Sequence, residues 1–161
     1  TTEANLGDGV FPVKDFLDLD GIIGIGSDSH ISVNPIEELR WLEYSQRLHY
    51  QKRIRLIDEN ITHNGTNLWE QALSGGAFAC GRAINGIEMN MRADLLVLDD
   101  THPILYGRKS EQILDTLIFA GNTNTIRDVM VGGNWVVKQG RHINEDEIRH
   151  NFYQAMDTLF E

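Results

Sequence analysis

The chain is short of cysteine, proline and positive charge, and each shortage excludes something. A single cysteine, Cys80, among 161 residues rules out an intramolecular disulfide and fits a reducing compartment, so the expectation is a cytoplasmic protein. Cys80 sits among Gly75, Gly76, Ala77, Phe78, Ala79 and Gly81, which reads as a packed core thiol and not a nucleophile. Only 14 lysines and arginines stand against 24 acidic residues, a net charge of −10, which argues against nucleic acid as a partner. The densest basic stretch, Arg47, Lys52, Arg53 and Arg55, falls in a helical pattern and reads as a complement to that helix's C-terminal end. No apolar run approaches the roughly 18 residues of a membrane span, so no membrane partner is expected. The start, Thr1-Thr2-Glu3-Ala4-Asn5, has neither a basic nor an apolar leader pattern and no initiating Met, which suggests a chain that begins inside a larger protein. There is also no His-x-His among the six histidines, His30, His49, His63, His102, His142 and His150.

Gly21-Ile22-Ile23-Gly24-Ile25-Gly26-Ser27-Asp28-Ser29-His30 carries the strongest positive signal. Its β-branched residues and short length predict a buried strand over 22–25. A carboxylate at the mouth of such a strand occupies the place where parallel α/β barrels keep their chemistry. The plainer reading of Asp28 or Ser29, a cap for the next helix, has equal claim on spacing alone. A better cap follows, however: Asn34, with Pro35 at the first helical position and Glu37 completing a capping-box pattern, predicts a helix from Pro35 to about Ile57.

Elsewhere, Thr1–Pro12 reads as a loop around the turn Gly7-Asp8-Gly9, and Val13–Leu19 as a short helix. A second main helix is expected from about Leu68 to Leu73, capped by Thr66 and halted by Gly75-Gly76. The texture changes near 90–93. Ala93–Asp99 and Arg127–Val131 read as strands, Gly132-Gly133-Asn134 as a hairpin turn, and Trp135–Lys138 as the returning strand. Ser110–Ala120 reads as a helix between them, and Glu145–Phe160 as an amphipathic helix presenting Ile148, Phe152, Met156 and Leu159. Two strands and a hairpin cannot close a sheet, and one parallel strand cannot form a barrel, so both halves call for partners.

Three of these stretches resemble the C-terminal part of the metal-dependent amidohydrolases. Ile25-Gly26-Ser27-Asp28 is similar to the eighth barrel strand, whose aspartate binds the catalytic metal. Arg92-Ala93-Asp94-Leu95-Leu96-Val97-Leu98-Asp99 is similar to the strand by which that chain leaves the barrel. Val129–Val137 resembles its closing hairpin. The resemblance implies an α/β fold: residues 1–92 as the C-terminal segment of a metal-dependent hydrolase (β/α)8 TIM barrel, 93–143 as part of a small β-sandwich, and 144–161 as a C-terminal helix. Thr1–Gly9, Ser27-Asp28-Ser29-His30 and Glu37-Glu38-Leu39-Arg40-Trp41-Leu42-Glu43-Tyr44 narrow it to the formimidoylglutamate deiminase branch. The turn Asn85–Met91 departs from the commoner superfamily pattern without touching a catalytic position.

That likeness implies hydrolysis of N-formimino-L-glutamate to N-formyl-L-glutamate and ammonia, as in histidine degradation, with one zinc or similar divalent ion. Asp28 would be both metal ligand and proton-transferring carboxylate, with Glu3, Asn5 and His30 as candidate substrate contacts at the rim. The bland readings stay beside these: His30 facing outward or supporting a neighbour, Glu3 and Asn5 stabilising their own turn. Arg40 and Glu43 read as a helix-face ion pair, and Trp41, Trp69 and Trp135 as core or interface anchors. The family's remaining metal ligands, its catalytic Glu and His and its carboxylate-binding arginine are absent here. The implied partners are therefore a small-molecule substrate, the N-terminal part of the same enzyme and, as often in this superfamily, a second copy in a homodimer; alone, the chain should be inactive. Two alternatives remain open: a guanine-, pterin- or amidine-type deaminase, and a non-catalytic fragment.

Overall fold

A computed structural model describes residues 1–54, 56, 62–82 and 86–160. Residue contacts divide it into two compact units, 1–91 with 101–123, and 92–100 with 124–161. The break at Arg92 falls where the sequence texture changes. The segment 101–123, placed by sequence within 93–143, packs in the first unit.

The first unit is helical. It contains α1 (Thr2–Leu6), α2 (Val13–Leu17), α3 (Pro35–Tyr50), α4 (Asn64–Ala79) and α5 (Ser110–Phe119). The expected loop over 1–12 therefore holds a helical turn, closed at Gly7 with φ 78° and bonded back to the Glu3 carbonyl. α3 starts as predicted: Asn34 Oδ1 accepts the Ile36 and Glu37 amides at 3.0 and 3.3 Å. The Glu37 carboxylate, however, is engaged by the Ser32 hydroxyl. α3 stops at Tyr50, where Gln51 turns left-handed (φ 51°). The expected extension runs into Arg55 and Ile57, which lie outside the described residues.

α4 is longer than its sequence signals. It begins at Asn64 after His63, and not at Thr66, and runs through Gly75-Gly76 to Ala79. Packing explains the second difference. A Cβ on Gly75 would lie 1.7 Å from the Ile23 carbonyl oxygen, so only glycine lets the 21–27 segment rest on this helix. Cys80, at the helix end, is exposed and not a core thiol, because the small residues around it form the outer end of α4.

α5 packs on both α4 and α3. Asp115 fastens it to the start of α4, accepting the Gly65 amide at 2.6 Å and facing His63 Nδ1 at 2.6 Å. The expected Arg40–Glu43 pair does not form. Arg40 reaches α5 and its exit, donating to the carbonyls of Ile118 and Gly121 and to Asn122. Glu43 is fully buried and takes Arg47 Nε at 2.7 Å and the Leu56 amide at 2.8 Å. A buried carboxylate persists only when satisfied in this way. Leu39, Leu56, Leu68 and Ile118 supply the largest apolar part of this core.

The second unit is an antiparallel sheet of β1 (Leu95–Leu98), β2 (Ile126–Val131), β3 (Asn134–Lys138) and β4 (Arg141–His142), in that order, followed by α6 (Glu145–Phe160). β4 is an addition to the sequence expectation. It is too short for a periodic signal, and the turn at Gln139 and Gly140 (φ 50° and 76°) creates it. Gly132 and Gly133, at φ 55° and 83°, make the two-residue hairpin turn that the sequence predicts. Asp94 holds that turn: its Oδ1 accepts the Gly132 amide at 2.6 Å while Arg92 Nε donates to it at 2.9 Å. The acidic residue of the Ala-Asp-Leu-Leu-Val-Leu-Asp stretch thus does structural work. α6 matches its predicted bounds, and Ile148, Phe152 and Leu159 are exposed on it.

Asp128 closes the second turn in the same manner, taking the Gln139 amide at 2.9 Å and Arg127 Nε at 3.0 Å. The Gln139 N–H, and then Arg127, hold its carboxyl below the ordinary aspartate range. A depressed folded-state pKa stabilises above the unfolded value, about 3.9, and that contribution disappears as pH falls through the lower folded value. The melting-temperature difference between the full-length protein and its Asp128→Asn variant should be constant above about pH 5 and shrink as pH falls below about 4. A difference independent of pH throughout that range would contradict the assignment.

Candidate active site

Residues 21–27, whose β-branched pattern asks for a strand, carry no regular secondary structure: no strand pairs with them among the described residues. Ile23 is buried on α4, whereas Ile22 is exposed. The correction to the sequence expectation has a simple cause. Strand identity requires a neighbour, and the local sequence supplies only the propensity.

The segment ends in a β-turn, Ser27–His30, closed by the His30 amide on the Ser27 carbonyl at 2.9 Å. Asp28 is its first central residue at φ 39°, and His30 follows at φ 56°. Two non-glycine residues with positive φ within three positions are unusual outside functional turns. The Asp28 side chain is exposed and accepts no hydrogen bond among the described residues. It is therefore not the cap of α3, a role that belongs to Asn34.

Asp28 stands at a cavity of about 550 Å³ formed by α1, the 9–11 loop, the 23–28 segment and α3. Val10, Phe11, Ile25, Trp41 and Leu42 give it a mainly apolar wall, with carboxylates from Glu3, Asp28 and Glu38 and one imidazole, His49. Among the described residues the lining places acidic groups beside an apolar surface and carries no Lys or Arg, which suits a cationic or neutral nitrogen group better than an anion. Of the candidate rim residues, Glu3 lines the cavity, while Asn5 and His30 do not and are exposed. Trp41, read from sequence as an anchor, is a wall residue and 42% exposed. Sequence reasoning passed over Glu38 and His49; their i, i+3/i+4 relation to Trp41, Leu42 and Ser45 on one face of α3 is the signal that links them.

Among the described residues no cluster of three His, Cys, Asp or Glu could hold a metal ion. A catalytic zinc takes three protein ligands and an open position. Asp28, an exposed carboxylate at a cavity, has the donor chemistry for one of them.

The chain belongs to the amidohydrolase family, whose sequence model matches residues 1–136. It is 48% identical, over all of its 161 residues, to formimidoylglutamate deiminase of Pseudomonas aeruginosa, of which it covers 36%. The crystal structure of an amidohydrolase from Brucella melitensis superposes with a TM-score of 0.89 at 39% identity, over 99% of this chain and 35% of that one. A zinc-bound adenosine deaminase from Xanthomonas campestris shares the fold (TM-score 0.78, 22% identity, 97% of this chain and 35% of that one). The chain thus spans about a third of the length of the relatives it matches. No helix among the described residues is long and apolar enough to cross a membrane.

Proposed function

We propose that this chain is the C-terminal third of a formimidoylglutamate deiminase, and that it contributes one corner of the active site. The observation that carries the reading is Asp28, displayed by a strained turn over an acidic and apolar cavity in a chain so similar to that enzyme. In the complete protein residues 21–27 would be the last strand of a TIM barrel, paired with strands from the upstream part. Residues 92–100 and 124–143 would belong to a small β-sandwich completed by that part.

The reaction is the addition of water to the formimino carbon and cleavage of its bond to the terminal nitrogen, giving N-formyl-L-glutamate and ammonia. Asp28, with upstream ligands, would hold one divalent ion, zinc by analogy with the bound relatives. Such an ion supplies a water whose pKa falls towards about 7. The Asp28 carboxylate would accept the proton of the attacking water and pass it to the departing nitrogen. Glu3 and Glu38 favour the amidinium end of the substrate, and the apolar wall formed with Trp41 limits water at the reacting carbon. The substrate's two carboxylates then fall to cationic residues upstream, since no Lys or Arg among the described residues lines this cavity. A role for Asn5 or His30 would need the complete rim. The setting is cytoplasmic amino-acid breakdown, in keeping with a single unpaired cysteine.

The test is substrate choice. The full-length protein should release ammonia from N-formimino-L-glutamate and leave guanine, pterins and adenosine untouched. Turnover of a purine with none of the formimino compound would reassign it to another deaminase branch.

A further inference from the structure

The Asp28 carboxylate has no hydrogen-bonded partner among the described residues to aim it, so its position is set by the backbone of the Ser27–His30 turn. That turn is an unfavourable one for its residues: a positive φ at the first central position is the place for glycine, yet Asp28 occupies it. Something must hold it there. The structure shows what touches it. The Thr2 hydroxyl accepts the Ser29 amide at 3.2 Å and donates to Ser29 Oγ at 3.0 Å, so one side chain engages both polar groups of the turn's second central residue. Thr2 in turn is the first residue of α1, and the neighbouring Thr1 hydroxyl is bonded to the Glu38 carboxylate on α3. The Thr1–Glu38 hydrogen bond, the peptide bond from Thr1 to Thr2 and the two Thr2–Ser29 hydrogen bonds thus tie α3 to the residue next to Asp28.

We infer that Thr2 is a positioning residue for Asp28: its hydroxyl locks the Ser27–His30 turn so that the carboxylate is presented at the cavity in one orientation. This rests on the reading of Asp28 as the proton-transferring carboxylate. Thr2 borders the cavity, but its hydroxyl is taken up by Ser29. It acts through Ser29, and β-branching, which stiffens its χ1, keeps the hydroxyl fixed on the turn.

The test compares Thr2→Val, which keeps the shape and removes the hydroxyl, with Thr2→Ser, which keeps the hydroxyl, in the full-length protein. Thr2→Val should lower kcat by about 10- to 100-fold, the usual effect of removing a group that orients an active-site ligand, with KM unchanged. Thr2→Ser should restore most of the loss. Ser29→Ala, which spares the amide bond to Thr2 and removes only the side-chain one, should fall between wild type and Thr2→Val. Hydrogen exchange at the Ser29 amide should accelerate in Thr2→Val and not in Thr2→Ser, a readout independent of turnover. Unchanged kcat in Thr2→Val, equal loss in Thr2→Val and Thr2→Ser, or unaltered Ser29 exchange would each overturn the proposal. Asp28→Asn separates the two layers. If it abolishes turnover while Thr2→Val does not, only the positioning role fails; if it leaves turnover intact, the reading of Asp28 fails first.

Discussion

Replacing Asp28 by Asn in the full-length protein should lower kcat by about 10³-fold, within the range of about 10² to 10⁴ associated with a positioned acid–base group. The fold should be untouched. The substitution is isosteric, the side chain is exposed, and asparagine tolerates positive φ at least as well as aspartate. Melting temperature and secondary structure should therefore match the wild type, with the stability change within about 0.5 kcal/mol that exposed sites allow. Kinetics on N-formimino-L-glutamate with a parallel thermal melt measure both at once. The amide cannot take up the proton that the carboxylate accepts, and, being uncharged, it is a poorer ligand for a divalent cation such as zinc. A variant that keeps a tenth of its turnover would remove Asp28 from proton transfer. A variant that loses activity and stability together would show that its role is structural.

The second large effect comes from a pair of adjacent glycines. Both Gly75 and Gly76 lie inside α4, where exchanging glycine for alanine ordinarily stabilises by about 1 kcal/mol. At Gly76 a Cβ would meet nothing within 4 Å, and Gly76→Ala should raise stability by up to that amount. At Gly75 the new Cβ would fall 1.7 Å from the Ile23 oxygen, 2.3 Å from its carbonyl carbon and 2.9 Å from the Gly24 nitrogen. All three are backbone atoms and none can rotate away. Either α4 or the 21–27 segment must shift, and the cost should reach about 3 kcal/mol, the upper end of ordinary overpacking. The two substitutions thus have opposite signs one residue apart. Because Ile23 leads directly to Asp28, Gly75→Ala should also depress kcat, whereas Gly76→Ala should not. Equal thermal shifts in the two variants, measured in the full-length protein, would contradict the close approach.

These glycines also show where reading along the chain stops working. Gly75-Gly76 looks like a helix end by propensity, yet the helix continues because a neighbouring segment needs the missing side chain. Packing is invisible to local sequence. By contrast, Asn34-Pro35 and Gly132-Gly133 announce a helix start and a hairpin turn through their own dihedral and hydrogen-bonding preferences, and both stand where the sequence puts them. The run before Asp28 shows the same limit: its isoleucines favour a strand, but a strand needs a paired neighbour, and none pairs with it among the described residues. The same logic covers Arg40 and Glu43. Their spacing suggests a pair, and tertiary partners, Ile118 and Gly121 for one, Arg47 and Leu56 for the other, outcompete it. Cys80 misleads for a related reason, since small apolar neighbours mark a close-packed helix face without saying which side a given residue takes.

For the site, the end of an apolar run singles out Asp28 and the family resemblance of Thr1–Gly9 singles out Glu3, and both border one cavity. Glu38, Trp41 and His49 share one face of α3 by their spacing, but that this face borders Asp28 emerges only when α3 is laid beside the 23–28 segment. Thr2 was further from view: its contact with Ser29 spans 27 residues and joins two turns whose separate sequences give no hint of each other.

The most direct test of the central claim is product analysis with the full-length protein and N-formimino-L-glutamate. One ammonia should appear for each N-formyl-L-glutamate formed, and Asp28→Asn should stop both together. Ammonia release from a purine but not from the formimino substrate, or undiminished turnover in Asp28→Asn, would contradict it.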